Sequence, residues 1–272
     1  MKVRIGDIDV TYEEAGSGKP LLILHGSGGN GRWAMDQFEP AFGDRAGWRR
    51  LYPDIVGNGQ TPLPAGLRGY DDALEVLVSF LHTIAPGERF AVAGVSWGGF
   101  FARGLVHQRP AEIDGLMLYV PDMGALRHRD VSQKHLIRRE AGFEAALQPG
   151  EEWLADALPV QTLEMLERMR SQLLAHLNFR PLPAVLDHRL FSFDPDALPA
   201  PFPAPTLIIT GRHDTMTGYK AAWSILDNFP RGTFAVLDRA GHMTGIEQPT
   251  IFDALAREWL DRVEEYIDLR EA

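Results

Sequence analysis

The stretch AGVSWGGFF, residues 93–101, decides the fold of this chain. It places glycines on both sides of a serine, between an apolar run and a segment of helical composition. Glycine inside a regular element costs conformational entropy and packs nothing, so its use here indicates a sharp turn with another segment close by. Gly94, Ser96 and Gly98 match the G-x-S-x-G nucleophile elbow, in which a strand-to-helix turn exposes a serine hydroxyl.

The regions on either side of this turn alternate between short apolar runs and helical periodicity. Leu74, Leu77, Val78 and Leu81 fall on one face of a predicted helix over 70–84. Further helices are predicted over 97–107, 219–229 and 250–269, and strands over 3–12 (a hairpin), 21–24, 48–53, 90–93, 113–120, 206–210 and 233–237. Alternating strands and helices predict an α/β fold with a mostly parallel sheet and helices on both faces.

The alternation is interrupted between about residues 122 and 199, where the sequence is helical and charged and contains no convincing buried strand. A structureless loop of this length is uncommon, so the segment is predicted to fold as a helical insertion. The domain prediction is therefore a core of residues 1–121 and 200–272, with residues 122–199 inserted into it. The series Trp153, Leu154, Leu158, Leu163, Leu166, Met169 and Leu173 is interpreted mainly as the core of this insertion, with some members over the site.

A serine hydroxyl needs a base to remove its proton and an acid to orient that base. Asp214 follows the predicted strand 206–210, and His242 follows the strand 233–237. Ser96, Asp214 and His242 therefore occur in the chain order expected for an elbow serine, each after a predicted parallel strand. Asp122 also follows a strand and is the alternative acid.

Charge that develops on a carbonyl oxygen requires backbone N–H donors. Trp97, directly after the serine, and Ser27, in the glycine-rich loop HGSGG at 25–29, are the predicted oxyanion donors. His25, Gly26 and Gly28 of the same loop are assigned to substrate binding, and the ring of His25 is expected to hold the loop rather than act as a base.

In these motifs the chain resembles the α/β-hydrolase superfamily over essentially its whole length. The motifs are HGSGG (25–29), DIVGNGQT (54–61), GVSWGG (94–99), GRHD (211–214) and GHMTGIEQP (241–249). The resemblance implies that residues 122–199 form a cap, and that the protein is a serine hydrolase of the carboxylesterase type. Its substrate would be a small ester, thioester, lactone or amide, cleaved through an acyl-enzyme on Ser96.

Several other activities remain open within this resemblance. They are a carbon–carbon bond hydrolase of dienone acids, a peptidase similar to proline iminopeptidases, a cofactor-free perhydrolase, and a hydrolase-fold ligand receptor. A basic cluster at Arg127, His128, Arg129, Lys134, His135, Arg138 and Arg139 bears on the first of these. It is interpreted as a solvated helix face. The alternative interpretation is a basic rim of the site that attracts substrates with a carboxylate.

The composition limits the remaining choices. A formal charge of −10 argues against a nucleic-acid or anionic-membrane partner, and a chain without cysteine has neither disulfides nor thiolate chemistry. The N-terminus has no apolar signal core and no stretch is long enough to span a membrane, so a cytoplasmic protein is expected. The mechanism requires no metal or organic cofactor, the partner is a small-molecule substrate, and a homo-oligomer is compatible with the sequence.

Overall fold

The computed structural model describes residues 1–124, 131, 133, 135–177 and 190–272. Its strands are β1 (Lys2–Ile5), β2 (Ile8–Gly16), β3 (Lys19–Leu24), β4 (Trp48–Pro53), β5 (Phe90–Val95), β6 (Ile113–Tyr119), β7 (Arg138–Arg139), β8 (Val160–Gln161), β9 (Thr206–Gly211) and β10 (Gly232–Leu237). Its helices are α1 (Gly31–Phe42), α2 (Tyr70–Ile84), α3 (Trp97–Gln108), α4 (Phe143–Ala146), α5 (Leu154–Ala157), α6 (Leu163–Met169), α7 (Lys220–Trp223), α8 (Thr244–Glu247) and α9 (Pro249–Glu271).

The central sheet has eight strands in the order β1-β2-β4-β3-β5-β6-β9-β10. The β1–β2 and β2–β4 pairs are antiparallel, and every pair from β4–β3 to β9–β10 is parallel. The carboxyl ends of β3, β5, β6, β9 and β10 therefore lie at one edge of the sheet. This arrangement confirms the predicted α/β-hydrolase fold.

Alternating side chains of the central strands enter two apolar layers. On β3, Leu22 and Leu24 join the layer of α2 and α3, whereas Leu21 and Ile23 join the layer of α1 and α9. All four side chains are fully buried. The continuous apolar run of this strand thus reflects a sheet covered by helices on both faces.

Helix α1 was not among the predicted helices. Its N-terminus is capped by Asn30, whose side chain accepts a hydrogen bond from the N–H of Trp33 at 2.8 Å. The glycine-rich loop before the helix and Pro40 within it obscure the helical pattern in the sequence. Trp33 and Phe38 on its buried face nevertheless pack into the core.

The predicted helix over 219–229 is wrong in length. Helix α7 stops at Trp223, and only a short 3₁₀ turn follows at Leu226–Asn228. The hydroxyl of Ser224, directly after α7, donates to the carbonyl of Ala221 at 2.7 Å. The side chain of Asn228 donates instead to the backbone of Asp196 at 2.8 Å, which fixes the chain to the segment before β9.

The segment between β6 and β9 leaves the sheet and returns to a neighbouring position, because these two strands pair directly. In its described part, it contains the short helices α4, α5 and α6 and a π-helical turn at Arg170–Leu174. It also contains the parallel pair β7–β8, which the sequence did not predict. We keep the name cap segment for residues 122–199, and its role as a separate cap remains a prediction.

Arg103 on α3 contacts both ends of the cap segment. Its guanidinium is almost fully buried, forms an ion pair with the carboxylate of Asp196 and donates to the carbonyl of Asp122 at 2.6 Å. A buried guanidinium needs such partners, because an unpaired charge away from water is costly. One side chain on the helix that follows the elbow thus contacts residues near the beginning and the end of the segment.

Among the described helices, none combines the length and apolar character needed to cross a lipid bilayer.

Candidate active site

Ser96 lies between the end of β5 and the start of α3, with φ +49° and ψ −111°. Its N–H donates to the carbonyl of Tyr119 at 2.8 Å, and its own carbonyl accepts from the N–H of Asp122 at 2.9 Å. A non-glycine residue at positive φ is strained, and such strain persists only where the surroundings fix the backbone. The contacts with Tyr119 and Asp122 provide that restraint.

The glycines of the elbow are required by close backbone contacts. A Cβ atom on Gly94 would collide with the carbonyl of Gly98, and a Cβ atom on Gly98 would collide with the carbonyls of Leu24 and His25. Strand β5, helix α3 and the end of β3 therefore approach too closely for any side chain. The sharp turn and close approach inferred from the sequence are both present.

Asp214 and His242 lie close together in the loops that follow β9 and β10. The Nδ1 atom of His242 is 2.9 Å from Oδ2 of Asp214, and both residues are buried. With Nδ1–H donating to this carboxylate, Nε2 is the ring nitrogen available to a neighbouring hydroxyl. Ser96 and His242 line the same cavity, so the structure brings the three candidate triad residues to one place.

Thr217 is a further residue of this site that the sequence analysis did not identify. Its hydroxyl donates to Oδ2 of Asp214 at 2.8 Å and lies 3.4 Å from Nδ1 of His242. The backbone N–H groups of Met216 and Thr217 both donate to Oδ1 of the same aspartate. The signal in the sequence is a threonine three residues after the aspartate, a spacing typical of local side-chain turns.

These hydrogen bonds determine the ionisation of Asp214. Burial by itself would raise the pKa of this carboxyl, but His242 and the donors of Thr217 outweigh it and lower the pKa to about 2. A carboxylate that accepts several hydrogen bonds is held in its charged form. Asp214 is therefore ionised at neutral pH and can stabilise a protonated imidazole.

Asp122, the alternative acid, does not contact His242. Its Oδ1 atom accepts from the N–H of Gly124 at 2.9 Å, and its backbone contacts are those to Ser96 and Arg103. Two residues before it, Val120 has φ +43° and is the second non-glycine residue with positive φ in the described part of the chain. The geometry thus pairs the imidazole with Asp214 and leaves Asp122 on the cavity wall.

The two predicted oxyanion donors lie in a loop and at the N-terminus of a helix. Trp97 is the first residue of α3, and Ser27 lies in the loop between β3 and α1. Within the described residues, neither of their N–H groups donates to a backbone or side-chain acceptor. Two free N–H groups near a candidate nucleophile can accept a developing negative charge, and the helix N-terminus adds to this.

The assignment of His25 to substrate binding requires correction. Its ring is fully buried, with Nδ1 2.8 Å from the carbonyl of Gly26 and Nε2 accepting from the N–H of Ile55 at 3.0 Å. Burial lowers the pKa of this imidazole and favours its neutral form. Both nitrogens are thus occupied, so His25 connects two loops and does not line the cavity. Gly26 lines the cavity, whereas Gly28 is not among its lining residues.

Asp54 connects the glycine-rich loop after β3 to the turn after β4 through its carboxylate. Its Oδ1 accepts from the N–H of Gly31 at 2.7 Å, and its Oδ2 accepts from the N–H of Gln60 at 2.7 Å. The carboxylate thereby fixes the start of α1 to the turn after β4. Asp54 is the first residue of the motif DIVGNGQT (54–61), and its contacts show that this motif shapes the loops near the cavity.

Glu247, on α8, is a buried carboxyl beside the His242 loop. Its Oε2 accepts from the N–H of Gly241 at 2.8 Å, and its Oε1 has no hydrogen-bond partner among the described residues. Burial, with a smaller effect from the charge of Asp214, raises the pKa of this carboxyl to about 8. Glu247 is therefore largely protonated at neutral pH and holds the loop without adding a charge.

The cavity in front of Ser96 has a volume of about 750 Å³ and lies between the sheet edge and the cap segment. Its described lining is Gly26, Ser27, Trp33, Gln37, Val95, Ser96, Tyr119, Asp122, Gly150, Trp153, Asp156, Ala157, Leu173, Leu177, Thr215, Met216, Thr217, His242 and Met243. The volume suits a small organic molecule. Trp153 and Leu173, from the apolar series in the cap segment, are part of this wall, while Leu154, Leu166 and Met169 lie in the core beneath it.

The basic cluster predicted at 127–139 falls partly outside the described residues, which exclude Arg127, His128, Arg129 and Lys134. His135, Arg138 and Arg139 are described, and they do not line the cavity. Arg139 forms an ion pair with Glu144 and donates to the side chain of Gln161. In the described part of the chain, no group of three or more His, Asp or Glu side chains is arranged to hold a metal ion.

A strained serine at the end of one parallel strand, with a His–Asp pair at the ends of two others, defines a nucleophile-elbow site on an open α/β sheet. The family model described as alpha/beta hydrolase fold matches residues 19–249. The chain therefore belongs to the α/β-hydrolase fold family.

The relatives of this chain act on different bonds. It is 25% identical to a pyrrolizixenacetamide deacetylase from Xenorhabdus hominickii, over 95% of this chain and 97% of that protein. It is 20% identical to a 2-hydroxy-6-oxo-6-(2'-aminophenyl)hexa-2,4-dienoic acid hydrolase from Metapseudomonas resinovorans, over 96% and 90%. The crystal structure of an α/β superfamily hydrolase from Oenococcus oeni superposes with a TM-score of 0.82 at 21% identity, covering 97% of this chain and 99% of that one.

Proposed function

We propose that this hydrolase is a serine enzyme that cleaves a small carboxylic ester or amide through an acyl-enzyme on Ser96. The observation that carries the proposal is the cavity shared by Ser96 and His242, with His242 hydrogen-bonded to a buried, ionised Asp214. This is the arrangement that nucleophilic catalysis by serine requires.

The proposed reaction uses each of these groups in turn. Nε2 of His242 takes the proton from Oγ of Ser96 as that oxygen attacks the carbonyl carbon, and the N–H groups of Ser27 and Trp97 bind the oxyanion. The protonated imidazole, stabilised by Asp214, then gives its proton to the leaving oxygen or nitrogen as the bond breaks. A water molecule deprotonated by His242 releases the acid and restores Ser96.

The second candidate function is a carbon–carbon hydrolase of a dienoic acid, which the relative from Metapseudomonas resinovorans favours. Two features favour an ester or amide over this candidate. The first is the deacetylase relative, which matches over nearly its whole length and whose name implies removal of an acyl group. The second is the charge of the cavity lining. Such an acid carries a carboxylate, whereas the described lining of the cavity contains Asp122 and Asp156 and no lysine or arginine.

The test uses p-nitrophenyl esters from acetate to decanoate, together with intact-protein mass after treatment with a fluorophosphonate. Wild type is expected to turn over short esters and gain one adduct, and Ser96→Ala is expected to lose both. Ser171→Ala, which removes an exposed serine that bonds only to carbonyls of its own helical turn, is the matched control. An adduct on Ser96 without turnover of any ester would favour the carbon–carbon candidate. If the wild-type protein gains no adduct and turns over no ester, the proposal is contradicted.

A further inference from the structure

We infer that the substrate carries a positively charged nitrogen, which the carboxylate of Asp122 and the aromatic wall of the cavity bind beside Ser96. This inference rests on the proposed function, because it concerns what the same cavity selects. Asp122 is then a specificity-determining residue, distinct from the Ser96–His242–Asp214 group.

The first step in the argument is the position of Asp122. Its N–H donates to the carbonyl of Ser96 at 2.9 Å, so its backbone is fixed directly against the candidate nucleophile. Only 9% of the residue is exposed, and it lines the cavity. A cation bound to this carboxylate would therefore lie beside the carbonyl that Ser96 attacks.

The second step is that this carboxylate retains unused hydrogen-bonding capacity. Oδ1 accepts from the N–H of Gly124, whereas Oδ2 has no partner within the described residues. The nearest described guanidinium, that of Arg103, bonds to the backbone carbonyl of Asp122 and forms its ion pair with Asp196. Among the described residues no cation pairs with this largely buried carboxylate, and a cationic substrate group would supply that partner.

The third step is the aromatic character of the same wall. Trp33, Trp153 and Tyr119 all line the cavity. Trp33 is held by a hydrogen bond from its indole nitrogen to the carbonyl of Gln172 at 3.0 Å. Aromatic faces attract ammonium groups, and a cavity that combines them with a carboxylate favours a cation over a neutral or anionic group of the same size.

The charged nitrogen can belong to the acyl part or to the leaving group, and two matched substrate pairs distinguish these sources. Butyrylcholine carries the charge in the leaving group. It is compared with its neutral isostere, in which a tert-butyl group replaces trimethylammonium. Ethyl γ-aminobutyrate is compared with ethyl valerate and places the charge in the acyl chain. The quantity measured is the ratio of kcat/KM for the cationic ester to that for the neutral ester.

We expect wild type to prefer the cationic member of one pair by about tenfold or more, a value typical of a close charge pair. Asp122→Asn is expected to bring that ratio to within about threefold of one, because its amide oxygen can still accept from the N–H of Gly124 but the charge is lost. Asp7→Asn, which removes a fully exposed carboxylate, is the control for net charge and should retain the wild-type ratio.

Ratios near one for both pairs in wild type would overturn the inference while leaving the proposed esterase intact. Equal changes in Asp122→Asn and Asp7→Asn would overturn it as well, because they would indicate long-range charge rather than contact. If none of the four esters is turned over, calorimetric binding of the same pairs to Ser96→Ala decides the question. Tighter binding of a cationic member that is lost in Ser96→Ala/Asp122→Asn supports the inference, and equal or absent binding contradicts it.

Discussion

The sheet edge and the cap segment contribute to the cavity in different ways. At the sheet edge, backbone contacts position the candidate triad: Ser96 is fixed by Tyr119 on β6 and by Asp122 at the start of the cap segment, and Asp214 accepts two backbone N–H groups. The cap segment contributes mainly side chains, such as Trp153 and Leu173. The difference indicates that changes at the edge should alter the chemistry, whereas changes in the cap segment should alter which substrate is accepted.

The largest expected effect is at the edge. Asp214→Asn keeps the shape of the side chain but removes the charge that orients and stabilises the imidazole, so kcat for an accepted ester should fall about 10⁴-fold. Steady-state kinetics on p-nitrophenyl esters measure this change. Asp238→Asn, an exposed aspartate after β10, is the matched control. Equal activities of the two variants would place the catalytic acid elsewhere.

A smaller effect concerns Glu247, which supports the His242 loop. Its pKa of about 8 in the folded protein lies above its unfolded value, so the folded state binds this proton more tightly and stability falls as pH rises from about 5 to about 8. At about 1.4 kcal/mol per unit, this group reduces stability by about 3 kcal/mol over that range.

Glu247→Gln should remove this part of the pH dependence. Urea unfolding of wild type and variant at pH 5, 6.5 and 8 gives the difference directly, and other titrating groups cancel in it. Glu75→Gln, at an exposed position on α2, serves as the control. Parallel stability curves for wild type and Glu247→Gln would show that the carboxyl titrates normally.

The contribution of Thr217 tests how finely the edge is positioned. Thr217→Val keeps the side-chain shape but removes the hydroxyl that donates to Asp214, which is worth about one net hydrogen bond, so kcat should fall about tenfold. Thr217→Ser should recover most of this loss, since it retains the donor. Full activity of Thr217→Val would show that the hydroxyl does not contribute to kcat and that the side chain acts only by packing.

The smallest expected effect lies in the cap segment. Trp153→Ala enlarges the cavity on the side of the cap segment, and we expect the preferred acyl chain to lengthen, with individual kcat/KM values changing about three- to fivefold. The ester series from acetate to decanoate measures this shift. Loss of activity on all chain lengths together would mean that Trp153 supports the edge, and the division between the two regions would not hold.

The sequence predicted the strands and the turn at the sheet edge well, because they depend on local backbone rules. The strands at 48–53, 206–210 and 233–237 and the helix at 70–84 agree closely with the structure. Glycine at 94 and 98 reports a turn that no other residue fits, and Asp214 and His242 follow apolar strands that are easily recognised. Their juxtaposition then follows from parallel strand order.

The remaining features depend on contacts between distant segments, which leave no local pattern. The N–H of Ile55, thirty residues away, donates to the ring of His25, and β7 pairs with β8 across a gap of about twenty residues. After the short helix α7, the side chain of Asn228 bonds to the backbone of Asp196, in a segment more than thirty residues earlier in the chain. Which side chains of the cap segment reach the cavity is likewise determined by packing rather than by periodicity.

The two contacts of Arg103 have a consequence for protein engineering. Because one arginine on α3 holds both the carbonyl of Asp122 and the carboxylate of Asp196, the chain between these points begins and ends at a shared anchor. We expect that a graft which retains both anchors and replaces the residues between them with those of another family member will leave the backbone of the elbow in place. Substrate specificity could then be changed by replacing one continuous segment of the gene, while the codons of the α/β core stay the same.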